Sequence, residues 1–258
     1  MHPILFEYGP LKLFTYGLFL ALAFLSAIFI GSREAKRLGL PVDKFFDLCF
    51  YAVVGALVGS RLLYVILDPR PFLAHPLKLF ALWEGGLDFQ GGVFLAMVLA
   101  FYYIRRHRLP WRPTLDALAL GVPVGQFFGR IGCFMAGCCY GSPSHLPWAV
   151  TFPPESLCPL REPLHPAQLY EAFLALGVFG LLSIMKTRKR YDGQLLLAYF
   201  CLAGLVRFVV EFFRSPTDYR GPLLFGWMPL TQGIALGLAL VSAALLVWFG
   251  RRAGAQSR

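Results

Sequence analysis

The stretch LDALALGVPVGQFFGRIGCFM, residues 115–135, is 21 residues long and carries a single arginine, Arg130, near its far end. At about 1.5 Å per residue such a run reaches ~30 Å, the thickness of a bilayer's hydrocarbon core. It is one of a set. Six further apolar stretches cover roughly 13–32, 46–67, 88–104, 168–185, 194–213 and 226–249. No alternating ~10-residue pattern recurs, so helices rather than barrel strands are the spanning form. Composition agrees, with 57% hydrophobic and 15% charged residues and a mean hydropathy of +0.62. Ordinary soluble domains are about 45–50% apolar and ~25% charged. A soluble globular domain, a disordered chain and a disulfide miniprotein are therefore excluded. The expected fold class is all-α: a polytopic membrane protein of seven transmembrane helices, forming one integral membrane domain over residues 1–258.

The net charge is +10, and its distribution gives its meaning. Four basic clusters fall on one side of the bilayer. They are Arg33, Lys36, Arg37 and Lys44; Arg105, Arg106, Arg108 and Arg112; Lys186, Arg188, Lys189 and Arg190; and Arg251, Arg252 and Arg258. The other side holds six basic residues (Lys12, Arg70, Lys78, Arg161, Arg214, Arg220) against these fifteen. The positive-inside rule places the N-terminus outside and the C-terminus in the cytoplasm. The basic excess is topological, and no nucleic-acid partner is expected. The first span's basic cluster follows it rather than preceding it, so no cleaved signal peptide is expected. Trp83, Trp148, Trp227 and Trp248 fall near span ends, as interfacial aromatics do. The long hydrophilic segment 136–167 predicts a small arm on the outer side.

Arg61, Arg130 and Arg207 lie inside apolar stretches. An arginine at a helix centre costs about 2.5–3.5 kcal/mol on the insertion scale, which makes it a functional candidate. Each is five or six residues from its span's outer end, or about 8–9 Å deep. Tyr16, Gln90, Glu171 and Glu211 sit at similar depth. Arg207, Glu211 and Arg214 share one helical face. Cations exceed carboxylates in this layer, and guanidinium groups in a low dielectric attract an anion whose geometry suits their fork. The expectation is an outer-leaflet cavity holding a phospholipid headgroup. The bland reading is that the arginines snorkel or pair with carbonyls. Gly121, Gly125 and Gly129, like Gly55 and Gly59, repeat at the spacing of close helix packing. Gly91 and Gly92 are read as irregular backbone beside Gln90.

GRIGCFMAGCCYG (129–141) resembles the signature of the prolipoprotein diacylglyceryl transferase family, which reads approximately G-R-x-G-N-F-x-N-x-E-x-x-G. YGLFLALAF (16–24), GSRLLYVI (59–66), GGLDFQGG (85–92), HPAQLYE (165–171) and RFVVEFFRSP (207–216) match further family segments in order. The resemblance implies a multi-pass enzyme of the bacterial inner membrane, with its active site toward the outer leaflet. It implies transfer of the diacylglyceryl group from phosphatidylglycerol to the lipobox cysteine thiol of a prolipoprotein, with release of glycerol 1-phosphate. The implied partners are these two substrates and the lipid bilayer, with no metal or organic cofactor.

By this resemblance Arg130 is the signature arginine that contacts the lipid phosphate, Arg207 the essential arginine of the late helix, Tyr16 the first-helix tyrosine and Gly141 the closing glycine. The catalytic candidates are Arg130, Arg207, Tyr16 and Gln90, and the substrate-binding candidates Arg130, Arg207, Arg61, Glu211 and Gly141. The chain departs from the family at several positions. Gln90 stands where the family commonly has a histidine proposed as base, and Gln cannot take that role. Cys133 and Ala136 replace two asparagines, Cys138 a glutamate and Ala203 a tyrosine. Either the arginine field activates the thiol, or the chain is a paralogue with altered activity.

Cys49 and Cys201 sit in apolar spans and read as packing residues. Cys133, Cys138 and Cys139 cluster near the outer end of a span, with Cys158 in the outer arm. Structural packing, or an arm-tethering disulfide from Cys158 to Cys138 or Cys139, is expected ahead of a redox centre. Metal ranks last, because C-x4-C-C is not zinc-site spacing. His165 precedes Pro166 and reads as part of a helix cap. Two other function classes stand beside the transferase: a non-catalytic phospholipid-binding paralogue, and a membrane thiol oxidoreductase using the four outer cysteines.

Overall fold

Long apolar runs become helices because a lipid-facing backbone must satisfy its own polar groups. The computed structural model describes residues 4–8, 11–80, 86–215, 223–224 and 227–256. Trp83, Gly85, Pro216, Arg220 and Arg258 lie outside the described residues, as does the Lys12 side chain. The helices are α1 (Thr15–Arg37), α2 (Val42–Leu67), α3 (Arg70–Ala74), α4 (Phe89–Arg106), α5 (Trp111–Ala136), α6 (Ala167–Met185), α7 (Gln194–Glu211) and α8 (Leu230–Gln256). A long helix stands on each of the seven apolar stretches. Among the described residues six are long and apolar enough to cross a membrane, and the 18-residue α4 is not one of them. Only 17–33% of each span's apolar window is buried, so most of these apolar faces look outward, as lipid contact requires. Two short antiparallel pairs were not expected: β1 (Ile4–Tyr8) with β2 (Leu11–Phe14), and β3 (Leu223–Leu224) with β4 (Met228–Pro229).

The chain divides into two units, residues 32–114 and residues 1–31 with 115–258. In the smaller unit α2 lies against α4. A side chain on Gly59 would overlap the backbone of Gly91, and one on Gly91 the backbone of Gly59. Gly91 and Gly92 are therefore helical and buried at this contact, not irregular backbone. The missing Cβ atoms let two helices touch, which is what the small-residue spacing on α2 was read to mean. Asp88 caps α4, accepting from the Gln90 and Gly91 backbone N–H groups at 2.8 and 3.1 Å.

In the larger unit Gly121 and Gly125 pack on the Ala27 and Ala23 carbonyls of α1, whereas a side chain on Gly129 would meet nothing within 4 Å. The spacing signal thus marks packing for two of the three glycines and open space for the third, beside Arg130. Leu120, Val178, Leu182, Leu195 and Ala198 join α5, α6 and α7 in one buried cluster. Residues 137–166 form the expected arm, drawn together by isolated bridges of Pro143 and Val150 to Leu164. A core of Tyr140, Phe152, Cys158 and Leu164 fills it, and Arg161 donates to the Phe152, Pro153, Pro154 and Cys158 carbonyls.

Candidate active site

The site grows from the C-terminal end of α5. Gly137, at φ +80°, turns the chain out of the helix, and the Gly137 and Cys138 N–H groups both donate to the Cys133 carbonyl, at 2.9 and 3.1 Å. About two turns before this stop, Arg130 points at α6. Its Nη2 lies 2.7 Å from Oε1 of Glu171. The other carboxylate oxygen of Glu171 faces Nη1 of Arg207 on α7 at 3.6 Å, and Nη2 of Arg207 holds Glu211 at 2.8 Å. The result is a row, Arg130–Glu171–Arg207–Glu211, built from three helices.

The two carboxylates are deep, with side chains 13% and 1% exposed, while Arg130 and Arg207 keep 25% and 24%. Each guanidinium is thus held by carboxylate, Arg207 through both Nη atoms, while about a quarter of its side chain stays exposed. Arg130 and Arg214 both act electrostatically on Arg207, so three cations share two carboxylates here. An anion arriving at the exposed parts would meet positive charge held in place beforehand.

Tyr16 stands beside this row. It is 40% exposed, and its ring lies 3.2 Å from where a Gly132 side chain would begin. Gly141 is wedged rather than open: any side chain there would overlap His165, and its N–H donates to the His165 carbonyl at 3.0 Å. Ser142 N–H donates to the Phe213 carbonyl and Ser215 N–H to that of Tyr140, at 2.9 and 3.4 Å. These bonds bind the end of α7, with Arg214, to the arm. The family's closing glycine is accordingly a close-approach position.

Arg61 and Gln90 belong to the smaller unit. Arg61 is buried and donates to the Leu79 carbonyl at 3.2 Å, the Gly86 carbonyl at 3.0 Å and the Lys78 carbonyl. Its guanidinium also lies 5.1 Å from the Phe72 ring. These donors serve carbonyls of the segment after α2, as the bland reading of a buried arginine has it. Gln90 is exposed in the first turn of α4.

The cysteines also depart from expectation. All six are free, so the expected arm-tethering disulfide is absent. Cys158 is 1% exposed in the arm's core, its thiol 3.7 Å from the Leu160 carbonyl. That burial removes it from any exposed four-cysteine redox centre. Cys133, Cys138 and Cys139 do come together. Hydrogen bonding from Cys133 and Cys138 holds the Cys139 thiol well below the ordinary thiol range, with Arg130 and Arg214 acting in the same direction.

Some functional positions were underweighted in the sequence. Glu171, the hub of the row, reads in the sequence only as one polar residue of a layer. Buried Gln168 donates to the Cys138 carbonyl at 2.8 Å. His165 Nδ1 pairs with Tyr170 Oη at 3.1 Å, and Trp148 Nε1 donates to the same hydroxyl at 2.8 Å. The signal was the segment HPAQLYE itself, which places polar side chains on the first turn of an otherwise apolar helix.

Comparison with known proteins gives the chain's relatives. A family model described as prolipoprotein diacylglyceryl transferase matches residues 3–249. The chain is similar to the phosphatidylglycerol–prolipoprotein diacylglyceryl transferase of Geobacter sulfurreducens, with 38% identity over 255 residues, 97% of this chain and 96% of that one. Its counterpart in Pseudomonas fluorescens is 36% identical over 250 residues, 95% and 92% of the two chains. That of Bordetella avium is 36% identical over 259 residues, 98% and 97%.

Proposed function

The chain belongs to the prolipoprotein diacylglyceryl transferase family, and from that premise we propose how its residues carry the reaction. The enzyme transfers the diacylglyceryl group of phosphatidylglycerol to the lipobox cysteine thiol of a prolipoprotein and releases glycerol 1-phosphate. One observation carries the assignment of roles: Arg130 and Arg207, from separate helices, share Glu171 and each keep about a quarter of the side chain exposed. The lipid phosphate sits against those exposed parts.

The substrate thiolate attacks the glycerol carbon bonded to the phosphate oxygen. A C–S bond forms, the C–O bond breaks, and its electron pair leaves on the phosphate. Charge grows on that group as the bond breaks, so preorganised guanidinium groups favour the transition state over the ground state. The thiol proton ends on the released phosphate ester. Gln90 cannot accept a proton, so the arginine field rather than a side-chain base makes the thiolate accessible. Tyr16 offers a hydroxyl to the headgroup beside Arg130. Glu171 and Glu211 orient the two arginines. Gly141 positions Arg214, and Arg61 braces its own unit.

The chain is a multi-pass membrane protein. We place it in the bacterial inner membrane as one integral domain of seven spans, α4 included, with the N-terminus outside and the active site toward the outer leaflet. The alternation of basic loops supports that orientation.

The test is direct. Purified protein, phosphatidylglycerol and a lipobox peptide are incubated and the peptide is weighed by mass spectrometry. A diacylglyceryl adduct with release of glycerol phosphate is expected. Phosphatidylglycerol binding without any adduct would overturn transfer and leave a binding paralogue.

A further inference from the structure

We propose that Cys133, Cys138 and Cys139 form a three-thiolate site for a thiophilic d10 cation of the zinc and cadmium class. Their sulfurs all lie within 4.8 Å of one another. Zinc–thiolate bonds of about 2.3 Å in tetrahedral geometry set sulfurs ~3.8 Å apart. A closure of about 1 Å or less, within the reach of side-chain rotation, completes the set.

The backbone beneath the sulfurs is already fixed. Cys133 sits in the last turn of α5, and its carbonyl accepts from both Gly137 and Cys138 N–H. The Cys138 carbonyl is held by Gln168 from α6 at 2.8 Å. Cys139 has φ +60°, a left-handed conformation uncommon outside glycine. Neighbouring side chains on an extended chain point apart; this turn lets two adjacent cysteines present sulfur to one point. The linear spacing C-x4-C-C argued against metal because it is not a zinc-site pattern. The helix end and the left-handed turn fold that interval back on itself.

Charge and exposure favour occupancy. Three thiolates around a divalent ion leave a net negative charge, and Arg130 lies three residues from Cys133 on the same helix face. All three cysteines are half-buried rather than sealed in the interior. All-sulfur ligation selects soft d10 ions over magnesium or calcium. Binding releases three thiol protons as three metal–sulfur bonds form. The site stands apart from the transferase reading and does not depend on it.

The full-length protein, purified in detergent, reduced and freed of metal, is titrated with Cd2+ while the thiolate-to-cadmium absorbance is followed. The expected result is saturation at one ion per chain, competed by Zn2+. Cys133→Ser, Cys138→Ser and Cys139→Ser each weaken binding by at least about tenfold, and Cys158→Ser leaves it unchanged. A band that does not saturate, one that survives the triple Ser variant, or one that follows Cys158 would overturn the site. Thermal unfolding of the wild-type chain covers variants that fail to fold: Cd2+ is expected to raise Tm, and an unchanged Tm at saturating Cd2+ overturns the proposal.

Discussion

Two charge clusters sit on the same helix of the larger unit, about 21 Å apart along α5, and they are built to opposite ends. At Asp116 everything is closed. The carboxylate is fully buried and accepts from Gly193 N–H at 2.9 Å, Leu196 N–H at 3.0 Å and Lys189 Nζ at 3.1 Å. It thereby caps α7, whose N-terminal donors would otherwise lack partners. At Arg130 the row of charges is held by carboxylates yet stays partly exposed. An ionisable residue in a span is therefore a functional candidate only until its partners are counted. A charge sated by backbone is architecture, and a charge left partly exposed stays a candidate. Arg61, spent on three carbonyls, belongs with Asp116.

Substitutions can break or sharpen that contrast. The largest effect is expected from Arg130→Ala and Arg207→Ala, which lower turnover by about 10²–10³-fold or more. Thermal unfolding should move little. Retained diacylglyceryl transfer in either variant would remove the phosphate clamp. Asp116→Ala should do the reverse, costing about 2–3 kcal/mol of stability through the lost cap and the broken buried pair. Turnover per folded molecule stays unchanged, as denaturant melts paired with activity assays would read.

Glu171→Gln tests whether the hub positions the arginines. The expected loss is about tenfold to hundredfold in kcat, with phosphatidylglycerol binding retained. A wild-type rate would mean that the arginines need no shared orienter. Gln90→Ala should stay within about threefold of wild type. A fall nearing 10² would show that Gln90 hydrogen-bonds a reacting group, since its amide cannot take the thiol proton.

The smallest effect concerns pH. Burial alone would lower the Lys189 pKa, but hydrogen bonds to Asp192 and Asp116 outweigh it and raise the pKa above 10.5. A folded-state pKa above the unfolded one gives stability that is fully present below the unfolded pKa and is lost as pH rises through the folded one. The Tm difference between wild type and Lys189→Met should be constant near neutrality and shrink only above about pH 10.5. Shrinkage at lower pH would contradict the pairing.

Much of the architecture was legible in the residue order. Hydropathy run length is a local property, so each of the seven apolar stretches carries a long helix. The long Pro-containing segment became an arm for an equally local reason. The signature around Arg130 pointed to the family, and the surplus of arginines pointed to an anion. Gly129 and Gly121 look alike in sequence, yet one faces space and the other a carbonyl of α1; only the neighbour decides.

What the linear chain determined, then, was which segments become helices, how the basic clusters alternate between them, and the family to which the motifs belong. Tertiary structure decided who pairs with whom. It placed Glu171 between two arginines, engaged Arg61 with backbone, buried Cys158 in the arm and gathered three other cysteines. These outcomes depend on how each helix is rotated about its axis and where each loop returns. Both are set by contacts between residues far apart in the chain, which no local pattern encodes.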